Sequence, residues 1–352
     1  MRAAFYTLGC KLNQFETEAL ASAFRSRGFF IVPWDEEADL YIINTCTVTS
    51  KSEQKARRII RKINREHENA VVIITGCYVE LEEEKLQREF TNAVLVPQHK
   101  KPMLLYAAEH LSVPISGETA GEIFRLMEQA GGYGPFAYGP KGFQFHSRAY
   151  IKIQDGCNNR CAYCRVPLAR GDSVSIDPQQ AFQQLLRLEE EGYAEAVITG
   201  VNVTSYSFGD FDLAELIRFL LTRTERIRLR VSSLEPDMIG HELCNVLAAS
   251  RIRPHFHIPV QSGSDKVLRL MKRKYNTDIV KKAFGSLREV KEDPFIAADI
   301  IVGFPGEEEI DYQQTRSLIH ELAPAQLHVF QFSPRPGTAA YTIRPKVPER
   351  KA

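Results

Sequence analysis

"QDGCNNRCAYCRVP", residues 154–167, sets Cys157, Cys161 and Cys164 in a C-x3-C-x2-C pattern on one short loop. A closed metal site needs four ligands. The next cysteine, Cys244, lies far downstream in "DMIGHELCNVLAAS", at an ordinary helical position that reads as structural. The loop is therefore one ligand short. A zinc knuckle completed by His146, His255 or His257 is the plain alternative, but this is not a usual zinc spacing.

The strand that leads into the loop opens a regular alternation. Strands are expected in "AYIKIQD" (149–155), "AEAVITGV" (194–201), "IRLRVSSL" (227–234), "HFHIPV" (255–260), "FIAADIIVG" (295–303) and "AQLHVFQFS" (325–333). Helices are expected near 178–191, 212–223, 236–249, 264–290 and 307–322, with Asp177 and Pro178 a good cap and first-turn pair. Six strand–helix repeats describe a partial barrel, and the loop after a barrel strand is where such folds keep their chemistry.

Upstream, "RAAFYTLG" (2–9), "DLYIINT" (39–45), "AVVIITG" (70–76) and "NAVLVP" (92–97) are nearly continuous apolar runs between helical stretches. They predict an open parallel sheet covered on both faces. Asn13 with Glu16, and Ser50 with Glu53, have capping-box spacing. Cys10, Cys46 and Cys77 each follow one of these strands, so a parallel sheet would carry all three to its carboxyl edge. Helix N-termini there add positive dipole, which suits an anionic thiolate site. Buried core cysteines are the bland alternative, but three in equivalent positions argue against it. The glycine-rich "GGYGPFAYGPKG" (131–142) marks a linker between the two alternations.

At 352 residues, with 44% hydrophobic and 25% charged residues, the composition is that of a globular chain of two domains. No apolar run reaches the roughly 18 residues of a membrane span, and the N-terminus lacks a secretory pattern. A cytoplasmic location is expected. Seven cysteines then speak for metal or redox chemistry and against a disulfide framework. A net charge of +1 leaves any nucleic-acid affinity to local patches. Two such patches stand out: Lys55, Arg57, Arg58, Arg61, Lys62 and Arg65 in "KARRIIRKINR", and Lys266, Arg269, Lys272, Arg273 and Lys274 in "KVLRLMKRKY".

"CNNRCAYC" resembles the signature of the radical S-adenosylmethionine (SAM) superfamily, in which three cysteines hold a 4Fe-4S cluster and SAM chelates the fourth iron. With "TLGCKLNQFETE", "INTCTVT", "ITGCY", "RVSSLEP", "IPVQSGSDKVLRLMKRKY", "DIIVGFPGE" and "FSPRPGT", the chain resembles the methylthiotransferases over nearly its whole length. The resemblance implies a second 4Fe-4S cluster on Cys10, Cys46 and Cys77, and a reaction at carbon 2 of an adenosine beside the tRNA anticodon. One SAM methylates a cluster-borne sulfur and a second is cleaved to a hydrogen-abstracting radical. It further implies tRNA, a sulfur donor and a low-potential electron donor protein as partners.

By the same resemblance, Tyr163, Thr199, Gly200, Glu235 and Gln261 contact SAM, with Asp299 and Gly303 less securely placed there. Lys55, Arg58, Arg61, Arg269 and Arg273 are the expected phosphate contacts. The domains read as 1–100 (α/β), 101–145 (connector) and 146–345 (radical SAM), and the RNA-gripping TRAM domain usual at the end of such proteins is missing. Arg165, Leu168 and Asp172 depart from the usual pattern after the cluster loop. "TLGCKLNQFETE" is most similar to the branch acting on threonylcarbamoyladenosine at tRNA position 37. Other branches act on isopentenyladenosine or on an aspartate of a ribosomal protein, and a non-catalytic electron carrier is the rival of another class.

Overall fold

A computed structural model describes residues 1–107, 110–111, 121, 125, 134–139, 142–143, 145 and 148–348. Part of the expected linker, most of the connector, His146 and the last four residues lie outside the described residues. The chain divides into two compact units, Met1–Ala149 with Leu168–Gly171, and Tyr150–Pro167 with Asp172–Ala352.

In the first unit, strands β1 (Arg2–Thr7), β2 (Phe30–Val32), β3 (Leu40–Thr45), β4 (Val71–Gly76) and β5 (Val94–Pro97) form one parallel sheet in the order β2-β1-β3-β4-β5. Every residue of β3 and β4 is buried, because helices cover both faces. Ile42 and Ile73, paired in register, pack with Leu20 and Phe24 of α1 (Lys11–Ser26). Their neighbours Ile43 and Ile74 face the other way, onto Ile59, Ile60 and Ile63 of α2 (Ser50–Glu66) and Tyr78 of α3 (Cys77–Glu89). Strand β2 was not expected. The run "FFIV" (29–32) is apolar, but a three-residue edge strand with Phe30 exposed is too short to stand out.

Both capping boxes are corrected. The N-cap of α1 is Cys10, without a side-chain cap, and Asn13 and Glu16 lie inside the helix, buried and otherwise engaged. Helix α2 is capped by Thr49, whose hydroxyl accepts from the Ser52 amide, while Glu53 accepts from Thr47 Oγ1 at 2.6 Å.

The second unit carries the six expected barrel strands: β6 (Ala149–Lys152), β7 (Glu195–Thr199), β8 (Arg228–Val231), β9 (His255–Gln261), β10 (Phe295–Val302) and β11 (Gln326–Gln331). They form two three-stranded sheets, β8-β7-β6 and β9-β10-β11, linked where the Leu234 amide donates to the His257 carbonyl at 2.9 Å. Outer positions such as Phe256 and Ile258 are fully buried beneath helices. These include α4 (Pro178–Glu190), α5 (Leu213–Arg223) and α6 (His241–Leu247). The Asp177 carboxylate caps α4 by accepting from the Gln179 and Gln180 amides. The helix expected over 264–290 is two, α7 (Asp265–Leu270) and α8 (Thr277–Val290), separated by Lys272 with φ +57° and restarted by an Asn276 cap. "MKRKYN" has no glycine or proline to announce the break, and the Asn276 cap is its one sign. Helix α9 (Glu309–Leu322) completes the unit.

Candidate metal centres

The first triplet is assembled by topology. Cys10, Cys46 and Cys77 stand at the carboxyl ends of β1, β3 and β4, three adjacent strands. Two glycines close the arrangement. Gly9 has φ +106°, and a Cβ there would lie 2.9 Å from the Cys46 sulfur. Gly76 has φ +102°, and its Cβ would meet the Thr45 carbonyl at 2.4 Å. Only glycine permits that backbone and that approach. Cys46 and Cys77 are buried while Cys10 is exposed. Burial pushes the Cys46 thiol up to about 12, with Cys10 and Cys77 adding in the same direction. Burial likewise raises Cys77, and the nearby charges of Arg170 and Lys101 oppose it.

Those two cations belong to a buried network that the sequence did not disclose. Lys101, fully buried, donates to Glu16 at 2.5 Å and to Asn44 Oδ1 at 3.0 Å. Arg170 donates to both Glu16 oxygens and to Asn13 Oδ1. Asn13 in turn donates to the carbonyls of Leu8 and Thr45, bracing the turns that carry Cys10 and Cys46. Lysine and glutamate fully out of water are rare unless paired.

The second triplet is local. Its loop is held by the Ala162 amide donating to the Met271 carbonyl and the Ala162 carbonyl accepting from Ala340. The buried Gln154 side chain anchors its entry, donating to the carbonyls of Asp155 and Gly156 and accepting from the Asn202 amide at 2.8 Å. Each sulfur has a donor: the Asn159 amide to Cys157 and the Val166 amide to Cys164, both at 3.4 Å, and Arg273 Nη1 to Cys161 at 3.1 Å. Burial raises Cys157 and pushes Cys164 up to about 12. Such thiols become ligands when a metal centre displaces their proton.

Among the described residues, neither triplet gathers three sulfurs within 4.8 Å of one another. A single zinc ion at tetrahedral bond length would draw them to about 3.8 Å. Three thiols, with an N–H donor aimed at each sulfur of the second set, fit an iron–sulfur cluster.

The remaining expected residues fall into distinct settings. Thr199 ends β7, buried, and Gly200 packs so closely that a Cβ would lie 2.9 Å from the Gln154 carbonyl. Gln261 sits beyond a register shift in β9 with φ +66°, a strained conformation of the kind that collects at functional sites. Glu235 is paired with Arg273, and burial nevertheless raises its carboxyl. Tyr163 packs edge-on to Phe304 within a cluster that includes Val267, Met271 and Ala340, so its ring fills core here. Arg273, expected at phosphate, is instead a buried partner of Glu235 and Cys161, placed there by the unforeseen break after α7. Lys55, Arg58 and Arg269 are exposed, and Arg61 is exposed but paired with Glu89. Arg165 is buried, Leu168 exposed, and Asp172 pairs with Arg160 at the surface.

Residues 2–97 match the model of UPF0004, an uncharacterized protein family, and residues 151–319 match the radical SAM superfamily. The chain is 37% identical to the threonylcarbamoyladenosine tRNA methylthiotransferase MtaB of Treponema pallidum (strain Nichols), across 98% of this chain and 83% of that protein. The chain belongs to the methylthiotransferase family of radical SAM enzymes. Iron–sulfur and SAM chemistry come with that membership. Another methylthiotransferase of the same name, from Bacillus subtilis (strain 168), is 36% identical across 98% of this chain and 76% of its own. The tRNA-2-methylthio-N(6)-dimethylallyladenosine synthase of Endomicrobium trichonymphae is 30% identical across 97% and 79%. Among solved structures, the radical SAM methyltransferase TsrM from Kitasatospora setae has a TM-score of 0.65 at 14% identity, covering 96% of this chain and 76% of that one, a likeness of fold alone. No helix among the described residues is long and apolar enough to cross a membrane.

Proposed function

We propose that this methylthiotransferase modifies carbon 2 of threonylcarbamoyladenosine in tRNA, with one 4Fe-4S cluster on Cys10, Cys46 and Cys77 and another on Cys157, Cys161 and Cys164, where SAM completes the coordination. The observation that carries this reading is the pair of three-thiol sites, each one ligand short, in a chain more similar to the threonylcarbamoyladenosine enzymes than to the dimethylallyladenosine enzyme. An aromatic C–H offers acid–base catalysis no handle, and the bound cluster and SAM supply the radical chemistry that does act on it.

This chain's residues hold and shape the sites. Gln154 fixes the loop entry, and Arg273 donates a charge-assisted hydrogen bond to the Cys161 sulfur, which would tune a cluster held there. Thr199, Gly200, Glu235 and Gln261 are the SAM-side candidates, while Lys55, Arg58 and Arg269 are the free-facing cations for tRNA phosphates. Residues 1–100 serve as the methylthiotransferase α/β domain and 146–345 as the radical SAM domain. A sulfur donor and a low-potential reductant complete the partners.

The test is anaerobic reconstitution followed by incubation with SAM, reductant and tRNA carrying threonylcarbamoyladenosine. Nucleoside mass spectrometry should find the methylthio product, and about eight irons per chain should be bound. Modification of isopentenyladenosine-containing tRNA alone overturns the substrate assignment, and four irons overturn the double site.

A further inference from the structure

Three neighbouring barrel strands bring together a polar set that includes Asp299, expected near SAM, and His257, an alternative zinc ligand. Phe256 and Ile258 of β9 are fully buried, and the alternate residue His257 lies on the opposite face of the strand. Asp299 of β10 is paired in register with His328 of β11. A single oxygen, Asp299 Oδ1, lies 2.8 Å from His257 Nε2 and 3.0 Å from His328 Nδ1. The other ring nitrogen of His257 meets the Ser233 hydroxyl at 2.6 Å. His328 differs: its Nε2 has no hydrogen bond among the described residues, and its side chain is 40% exposed against 15% for His257.

The set is linked to the second triplet along the end of β8. Ser233 lies two residues before Glu235, which pairs with Arg273, the donor to the Cys161 sulfur.

We propose that His328, oriented by Asp299 and steadied through His257 and Ser233, is the specificity-determining contact for the carboxylate on the N6 substituent of the target adenosine. The inference rests on the threonylcarbamoyladenosine reading and deepens it. That substituent ends in a carboxylate, whereas a dimethylallyl group is hydrocarbon throughout. With Nδ1 held by Asp299, the Nε2 edge is the one left to a ligand, and an Nε2–H there would donate to a carboxylate. Of the nearby cations, Arg273 is paired with Glu235, Arg230 meets His255 at 2.6 Å, and Lys152 is paired with Asp155 at 2.6 Å.

The test compares tRNA bearing threonylcarbamoyladenosine with the same tRNA after methyl esterification of the threonyl carboxylate, on the reconstituted holoenzyme. The wild type should lose about tenfold to a hundredfold in kcat/KM on the ester, mostly through KM. His328→Leu and His328→Gln, checked for folding by iron content and melting temperature, should turn over acid and ester with nearly equal kcat/KM. Variants that still separate acid from ester as the wild type does overturn the proposal. So does a stoichiometric divalent ion, beyond cluster iron, that disappears in His328→Leu, since the same three side chains would then be metal ligands. Failure of the wild type on the acid substrate would instead sink the parent reading.

Discussion

The two cysteine triplets solve one coordination problem by opposite means. Cys157, Cys161 and Cys164 share a single loop, so backbone connectivity alone brings them together. Cys10, Cys46 and Cys77 come from three strands whose register and glycine turns must all form first. The local site takes donors from its own backbone and one arginine. The non-local site is backed by fully buried charges. The difference predicts that the first triplet depends on the fold around it far more than the second does.

The largest test removes one ligand from each. Cys161→Ser should abolish both SAM cleavage and methylthio transfer. Cys46→Ser should abolish transfer yet keep 5'-deoxyadenosine formation and the iron of the second site, with total iron falling by about half. Equal loss of SAM cleavage in both variants would mean that the two sites do not act separately.

Lys101→Met comes next. Removing one partner from a buried ionic network costs about 3–5 kcal/mol, because the remaining charge stays out of water. Arg170 still faces Glu16, so the lower end of that range is expected. Chemical denaturation should show the loss in the first unit, and iron should leave its triplet while the second remains loaded. A methionine variant as stable as the wild type would remove the network from the account. Gly76→Ala tests the turn itself, where a Cβ would press on the backbone of Thr45 and φ is +102°. Strain of about 1–3 kcal/mol, with impaired iron binding at the same triplet, is the expected result.

How much of this was readable from sequence follows the same divide. The loop triplet needed only spacing. The strand-end triplet needed the strands, and unbroken apolar runs such as "DLYIINT" and "AVVIITG" gave them away because both sheet faces are covered. Long-range pairing was not legible. Lys101 and Arg170 are ordinary charges in sequence, and only the fold brings them to Glu16. Asn13 and Glu16 had cap spacing, but their side chains serve the buried network, so tertiary demand overrode the local motif. Arg273 reads as one member of a basic run, and the interruption of the helix after α7 turns it inward. His257, Asp299 and His328 sit on three different strands, and no local pattern joins them.

The smallest effect separates barrel stability from either triplet. Glu189, at the end of α4, accepts from three successive amides, those of Glu225, Arg226 and Ile227, the last at 2.7 Å. Burial pushes its carboxyl up, but the three amides together pull harder and hold it below the ordinary range. A carboxylate lowered in the folded state stabilises fully above its unfolded pKa of about 4.3, and that contribution is lost as pH falls through the lowered folded value. Glu189→Gln should therefore destabilise the second unit by about 1–2 kcal/mol at pH 7, with the difference from wild type shrinking as pH falls below 4. Iron content at pH 7 should be unchanged in both triplets, since Glu189 touches neither. A pH-independent difference would assign the effect to shape and not to charge.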